Sequence, residues 1–211
     1  MIAIIDYGAG NLRNVKHALN LLELESFITN QPDDLSRANG MILPGVGAFG
    51  HAMDRLREKG FDQKIVEEVA NGKPLLGICL GMQLLFDKSY EHGEHEGLGI
   101  IPGEIVRFNT DLKVPHMGWN QLETENHYKN HPMVRGIQDG DYVYFVHSFF
   151  AKANNEQDVL FKTDYGQRFT SAVLRDHVVG MQFHPEKSSK VGMQLLKNFG
   201  EMVSREHISS N

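Results

Sequence analysis

The apolar run Pro74-Leu75-Leu76-Gly77-Ile78 leads into Gly77-Ile78-Cys79-Leu80-Gly81, and this short stretch constrains the fold more than any other. A non-alternating run of this kind reads as a strand buried on both faces. The Gly-x-Cys-x-Gly spacing then predicts a sharp strand-to-helix turn that carries a reactive side chain. Glycine fits where a Cβ would clash in such a turn. The N–H groups and positive dipole end of the following helix would favour thiolate over thiol, and thiolate is the nucleophile. Cys79 is the one cysteine of the chain, and the competing reading of a lone cysteine is a small, inert core residue.

The same strand-then-helix rhythm fills the first half. Ile2 to Ile5 predicts a buried strand, followed by the turn Tyr7-Gly8-Ala9-Gly10-Asn11 and an amphipathic helix through Val15, Ala18, Leu21 and Leu22. Met41-Ile42-Leu43 predicts a further strand, closed by Pro44-Gly45-Val46-Gly47, with helical patterns over 52–56 and 61–69. The strand at 74–78 feeds a helix through Leu80, Leu84 and Leu85. Such alternation implies an α/β fold with a parallel sheet covered by helices on both faces. After about residue 100, short β-like runs at 100–108, 141–150, 159–161, 171–174 and 178–183 predict antiparallel hairpins added to the same sheet. A last helix runs from about Ser188 through Leu195, Leu196 and Phe199.

At 211 residues the chain suits one well-buried core and is short for two, and no repeat or low-complexity linker divides it, so one domain is expected over 1–211. A formal charge of −6, without runs of Lys and Arg, argues against phosphate-backbone binding and hence against nucleic acid. A single cysteine excludes an intrachain disulfide and a thiolate-rich zinc site. No apolar stretch approaches a membrane span, and the first residues form a strand-like run without a basic lead. A cytoplasmic protein is the expectation.

A cysteine nucleophile needs a base, and the base needs a group that orients it. His184-Pro185-Glu186 is the selective candidate among the 11 histidines, because it closes the apolar strand at 178–183. Residues i and i+2 of an extended segment project to one side, and Pro185 restricts His184 to extended geometry. Glu186 can then hold one imidazole nitrogen while the other faces a thiol. The competing reading is a strand end with a surface ion pair.

Gly77-Ile-Cys79-Leu-Gly81-Met-Gln83 together with Gln182-Phe-His184-Pro-Glu186 resembles the class I (triad) glutamine amidotransferases. Pro44-Gly-Val-Gly47-Ala-Phe-Gly50, Pro115-His-Met-Gly-Trp-Asn120, Tyr144-Phe-Val-His-Ser148 and His184-Pro-Glu-Lys-Ser188 narrow the resemblance to the glutaminase subunits of imidazole glycerol phosphate synthases. It spans almost the whole chain, from Asp6-Tyr-Gly-Ala-Gly-Asn11 to the last helix. The resemblance implies a flavodoxin-like open, mostly parallel sheet with antiparallel strands added in the C-terminal half. It implies hydrolysis of L-glutamine through a γ-glutamyl thioester on Cys79, with His184 as acid and base and Glu186 as its support. No cofactor and no metal is implied.

By the same resemblance, the N–H groups of Val46 and Leu80 would form the oxyanion hole, Val46 after a peptide rotation that flanking glycines make easy. Gly47, Gln83, Glu91, Ser148 and Phe149 would surround glutamine, with Glu91 a candidate partner for the α-ammonium. Glu91 lies in the charged stretch Glu91-His-Gly-Glu-His-Glu96, which reads equally as a solvated loop, and whose His and Glu residues lack the closed pattern of a metal site. Phe149 stands where a Tyr often follows the hydroxyl residue in this family, a change that backbone contacts would survive. Asn11, Asn14, Trp119 and Lys187 would face a partner, a separate (β/α)8-barrel cyclase that receives ammonia and makes imidazole glycerol phosphate and AICAR. Core packing is the alternative for Trp119, and the Gly8-Ala9-Gly10 turn on its own is a weak phosphate-cradling signal. Three other readings compete: a glutaminase serving GMP or anthranilate synthesis, which shares the Cys and His-Pro-Glu motifs; a cysteine hydrolase of the related flavodoxin-like type; and a non-enzymatic scaffold, which the presence of Cys79, His184 and Glu186 argues against.

Overall fold

The computed structural model describes residues 1–209; the last two residues of the expected 1–211 domain lie outside the described residues. Strand β1 (Ile2–Ile5) is buried throughout and leads into helix α1 (Leu12–Leu21), whose apolar stripe is Val15, Ala18 and Leu19. Strands β2 (Ser26–Thr29) and β3 (Gly40–Leu43) follow, then helices α2 (Phe49–Lys59) and α3 (Phe61–Ala70). Gly60, in the left-handed region at φ 75°, ends one helix and starts the next, as a glycine C-cap does. Strand β4 (Leu75–Ile78) runs into α4 (Leu80–Gln83), a single turn of helix.

The remaining strands are β5 (Phe86–Ser89), β6 (His95–Glu96), β7 (Ile101–Arg107), β8 (His116–Gln121) and β9 (Glu123–Thr124). They continue as β10 (Tyr142–His147), β11 (Phe149–Ala153), β12 (Val159–Asp164), β13 (Arg168–Arg175) and β14 (Val178–Met181), before helix α5 (Ser189–Ser209). The main sheet has the order β2-β1-β3-β4-β14-β13-β11-β7-β5-β6. Its first five strands are parallel, β13 turns antiparallel on β14, and β11 pairs antiparallel with both β13 and β7. This is the expected α/β architecture: a parallel half extended by antiparallel strands.

Alternate residues of each strand feed opposite faces of the sheet. Ile2 and Ile4 pack with Val15, Leu19, Leu195 and Phe199, so α1 and α5 cover one face. Ala3 and Ile5 pack with Phe49, Leu56, Phe61 and Ile65, so α2 and α3 cover the other. The C-terminal ends of the parallel strands β1, β3, β4 and β14 are thereby left open side by side, where open α/β sheets place their ligands.

Three expectations change. The helix after Cys79 stops at Gln83, and the buried Leu84 and Leu85 carry the chain straight into β5. Their i, i+4 spacing from Leu80 mimics a helix, but their burial comes from a chain reversal. The run over 141–150 divides at Ser148: β11 joins the main sheet, whereas β10 leaves it and pairs with β8 in a separate two-stranded ribbon. The strand expected over 178–183 ends at Met181; Gln182 N–H still donates to Ser171 O of β13 at 2.9 Å, and His184 has left the ladder, its N–H turned to Tyr144 O.

Candidate active site

Cys79 has φ 55° and ψ −113°, a conformation that costs an L-residue on the order of 1–3 kcal/mol and persists only where its surroundings enforce it. The enforcement is local: Cys79 N–H donates to Met181 O at 2.7 Å, and Cys79 O accepts from Met82 N–H at 3.1 Å. The flanking glycines are required by close approach. A Cβ on Gly81 would lie 1.8 Å from Leu43 O, and one on Gly77 would lie 2.6 Å from Gly81 O. Gly45 completes the contact, since its Cβ would meet Gly81 N at 2.7 Å. Three glycines thus allow the Pro44–Gly47 turn to lie directly on the first turn of α4. With only four residues in α4, the electrostatic help at the sulfur comes from its free N–H groups rather than from a long helix dipole.

His184 follows β14 and is pinned by its N–H, which donates to Tyr144 O at 3.0 Å, and by its carbonyl, which accepts from Ser188 Oγ at 2.6 Å. Its Nδ1 lies 2.8 Å from Glu186 Oε1, and both side chains are buried. The other ring nitrogen is left for a hydrogen bond to Cys79. Burial disfavours the imidazolium, but hydrogen bonds to Cys79 and Glu186 outweigh it, and the His184 pKa is pushed up to about 9. Glu186 Oε2 is buried without a hydrogen-bond partner. The three groups can therefore hold a thiolate–imidazolium pair backed by a carboxylate.

A cleft of about 290 Å³ opens over the sulfur, and Cys79, Leu80, His184, Val46, Gly47, Gln83, Glu91, Ser148 and Phe149 all line it. Glu186 stands behind His184. Val46 is half exposed, and Gly47 holds φ 100° with nothing within 4 Å of where a Cβ would be. Glu91 is more than a solvated loop residue, because its Oε2 accepts from Phe49 N–H at 2.9 Å at the start of α2 while the side chain lines the cleft. Phe149 contributes its carbonyl, which accepts from Gln83 Nε2 at 3.1 Å.

Among the partner-facing candidates, Asn14, Lys187 and Trp119 are exposed and Asn11 is partly buried. Helix α1 and strand β10 both pack against the segment Pro185–Lys187. Trp119 is not a core residue: at 53% exposure it stacks edge-on with Tyr144 across the ribbon, near exposed Met117 and Tyr142.

Several functional neighbours escaped the sequence. Tyr7, fully buried, donates its hydroxyl to Pro44 O at 2.8 Å, and burial raises its pKa further above the ordinary phenol value. Gln182 Nε2 reaches Cys79 Sγ at 3.8 Å, and His147 lines the cleft. Each depends on a partner far away in the chain. The phrase Gln182-Phe-His184 held the one available signal, an amide two residues before the base and on its side of an extended segment.

The family model "Glutamine amidotransferase class-I" matches residues 3–203. A protein of Desulfitobacterium hafniense named "Imidazole glycerol phosphate synthase subunit HisH" is 51% identical over 207 residues, covering 98% of this chain and 96% of its own. One of the same name from Aquifex aeolicus is 50% identical over 197 residues, covering 93% and 94%. Among solved structures, a glutamine amidotransferase superposes with a TM-score of 0.76 at 21% identity, covering 96% of this chain and 98% of that chain. PurLQS from Thermotoga maritima superposes with a TM-score of 0.70 at 20% identity, covering 99% and 97%. These last two are likenesses of fold.

Proposed function

The chain belongs to the class-I glutamine amidotransferase family, and from that premise we propose how its residues divide the work. It is a glutaminase, the glutamine-hydrolysing subunit of an imidazole glycerol phosphate synthase in histidine biosynthesis. The observation that carries the chemistry is the Cys79–His184–Glu186 set, with a strained nucleophile and a buried, carboxylate-backed base on one cleft.

The Cys79 thiolate attacks the γ-carbonyl carbon of glutamine. The N–H groups of Val46 and Leu80 stabilise the oxyanion that forms. Protonated His184 delivers its proton to the departing nitrogen, releasing ammonia and leaving a γ-glutamyl thioester. Neutral His184 then takes a proton from water, whose oxygen attacks the thioester; glutamate leaves and the thiolate–imidazolium pair returns. One water is consumed for each glutamine, with no cofactor. Glu186 orients the imidazole and supports its charge. Glu91 receives the α-ammonium of the substrate, while Gln83, Gly47, Ser148 and the Phe149 backbone fix its position.

Ammonia released into water at neutral pH is mostly protonated and lost to synthesis, so the reading includes a docked (β/α)8-barrel cyclase. The word "subunit" in the relatives' names supports a partner. Exposed Trp119, Asn14 and Lys187 support a docking face beside the cleft, since aromatic anchors are favoured at interface centres. The test is mass spectrometry of the chain quenched during glutamine turnover with cyclase present. A γ-glutamyl adduct on the peptide bearing Cys79 supports the reading, and turnover in a Cys79→Ala chain overturns it.

A further inference from the structure

Phe149 O is a backbone carbonyl and can only accept hydrogen bonds. It takes two, from Gln83 Nε2 at 3.1 Å and from His147 Nδ1 at 2.8 Å. The Gln83 amide is thereby oriented with its NH2 inward, and the same Nε2 also donates to Gln182 Oε1 at 2.9 Å. Gln182 is fully buried, and with its oxygen committed to Gln83 its NH2 must face Cys79 Sγ, 3.8 Å away. Turning either amide over would set donor against donor or oxygen against oxygen.

The chain continues outward. With Nδ1 donating, His147 Nε2 accepts from His116 Nδ1 at 2.9 Å, and His116 Nε2 accepts from Asn120 Nδ2 at 3.2 Å. Asn120 Nδ2 is itself anchored on Asp164 O at 2.8 Å. Both rings are buried, and burial pushes the pKa down to about 3 for His147 and about 4 for His116, so each stays neutral in the tautomer the chain requires.

We propose that Gln182 stabilises the Cys79 thiolate by donating its side-chain N–H, and that Gln83, the Phe149 carbonyl and the His147–His116–Asn120 relay are positioning groups that keep this amide a donor. Charge-assisted hydrogen bonds exceed neutral ones, so the donor favours thiolate over thiol. The titratable groups facing Cys79 are His184 beyond β14, His147 at the end of β10 and Tyr7 beyond β1, with Glu186 behind His184 and Glu91 at the mouth. Of the two cleft-lining histidines, His184 is charged and His147 neutral, so Gln182 adds a fixed dipole where a second cation is absent.

The proposal rests on Cys79 being the nucleophile, and the test separates the two claims. Alkylation of the full chain by iodoacetamide is followed from pH 5 to 9 without glutamine. Gln182→Met removes the donor and should raise the pH midpoint of reactivity by about half to one unit. Gln182→Glu keeps the shape, turns an oxygen toward the sulfur, and should raise it by more than one unit, at least tenfold slower alkylation near pH 6.5. Gln83→Met leaves Gln182 in place but frees its orientation, and should give a smaller rise in the same direction. Profiles that superimpose on the wild type in folded variants overturn the proposal; if one Gln182 variant does not fold, the other and Gln83→Met decide. A wild-type midpoint at an ordinary thiol value of about 8.5 would instead count against Cys79 as an activated nucleophile.

Discussion

The Tyr7 hydroxyl donates to Pro44 O at 2.8 Å, tying the end of β1 to the first residue of the turn that carries Val46. Tyr7 is fully buried and sits under this turn, with Gly45 near enough that a Cβ there would meet the Tyr7 hydroxyl at 2.8 Å. The bond fixes one end of the segment; at the other, Val46 is half exposed and Gly47 has nothing within 4 Å of where a Cβ would be.

Tyr7→Phe keeps the packing and removes that anchor. Losing one such bond costs about 0.5–1.5 kcal/mol, so glutaminase kcat should fall about 2- to 13-fold with KM little changed. Steady-state glutaminase kinetics of the chain with cyclase check this; a change confined to KM would place the effect on substrate binding.

Glutamine hydrolysis by the chain alone should be weak and rise strongly with cyclase and its nucleotide ligand. Each oxyanion donor is worth about 3–4 kcal/mol, or about 100- to 1,000-fold, so one misdirected Val46 peptide is enough to silence the site. Gly47→Ala meets no neighbouring atom but strains a residue held at φ 100°, a conformation L side chains rarely adopt, and should reduce the stimulation. Glutaminase rates with and without partner test this, and equal rates would mean that the hole is already formed in the isolated chain.

His184→Ala should damage turnover more than Glu186→Ala, by roughly fifty- to a hundredfold, because an orienting carboxylate supplies part of what the base does. With its pKa pushed up to about 9, His184 keeps its proton throughout the neutral range. Thioester formation should therefore hold steady around pH 7 and fall as pH rises through about 9. Single-turnover acylation against pH reads both effects.

How much of this was legible in the sequence depended on range. Cys79, His184 and Glu186 were readable because turn chemistry and an i, i+2 relation are local, as were the buried strands Ile2–Ile5 and Leu75–Ile78. Strand β5 was missed because its four residues follow Leu84 and Leu85 at helix-like spacing. The β8–β10 ribbon was missed because whether a β-like run stays in a sheet or leaves it is decided by partners: His147 pairs with His116, 31 positions away. Tyr7 reads in the sequence only as the start of the turn Tyr7-Gly8-Ala9-Gly10-Asn11, because its role rests on Pro44, 37 positions on. Glu91 reads in the sequence equally as a substrate contact and as a solvated loop residue, because its partner, Phe49 N–H, lies 42 positions away.

A second buried cluster bears on stability rather than chemistry. Glu68 is buried, and although desolvation favours its neutral form, hydrogen bonds from Lys64, Lys73 and Ser36 at 2.8, 2.6 and 3.0 Å outweigh this and lower its pKa to about 2. A depressed carboxylate pKa stabilises the fold above the unfolded value near 4.5, and the effect is lost as pH falls toward 2. Glu68→Gln should cost about 2–4 kcal/mol at pH 7 and progressively less below pH 4.5. Urea unfolding of both proteins at pH 7 and pH 3 checks the sign.

The most direct test of the account is a labelling experiment on the complex. The chain and a cyclase are given the cyclase's nucleotide substrate and glutamine labelled with ¹⁵N at the amide, in the presence of unlabelled ammonium, and the imidazole glycerol phosphate formed is weighed by mass spectrometry. The account predicts product carrying the amide ¹⁵N well above the bulk ratio, and loss of that label in a Cys79→Ala complex that still makes product from ammonium. Labelled product from the Cys79→Ala complex, or wild-type product at the bulk isotope ratio, would contradict it.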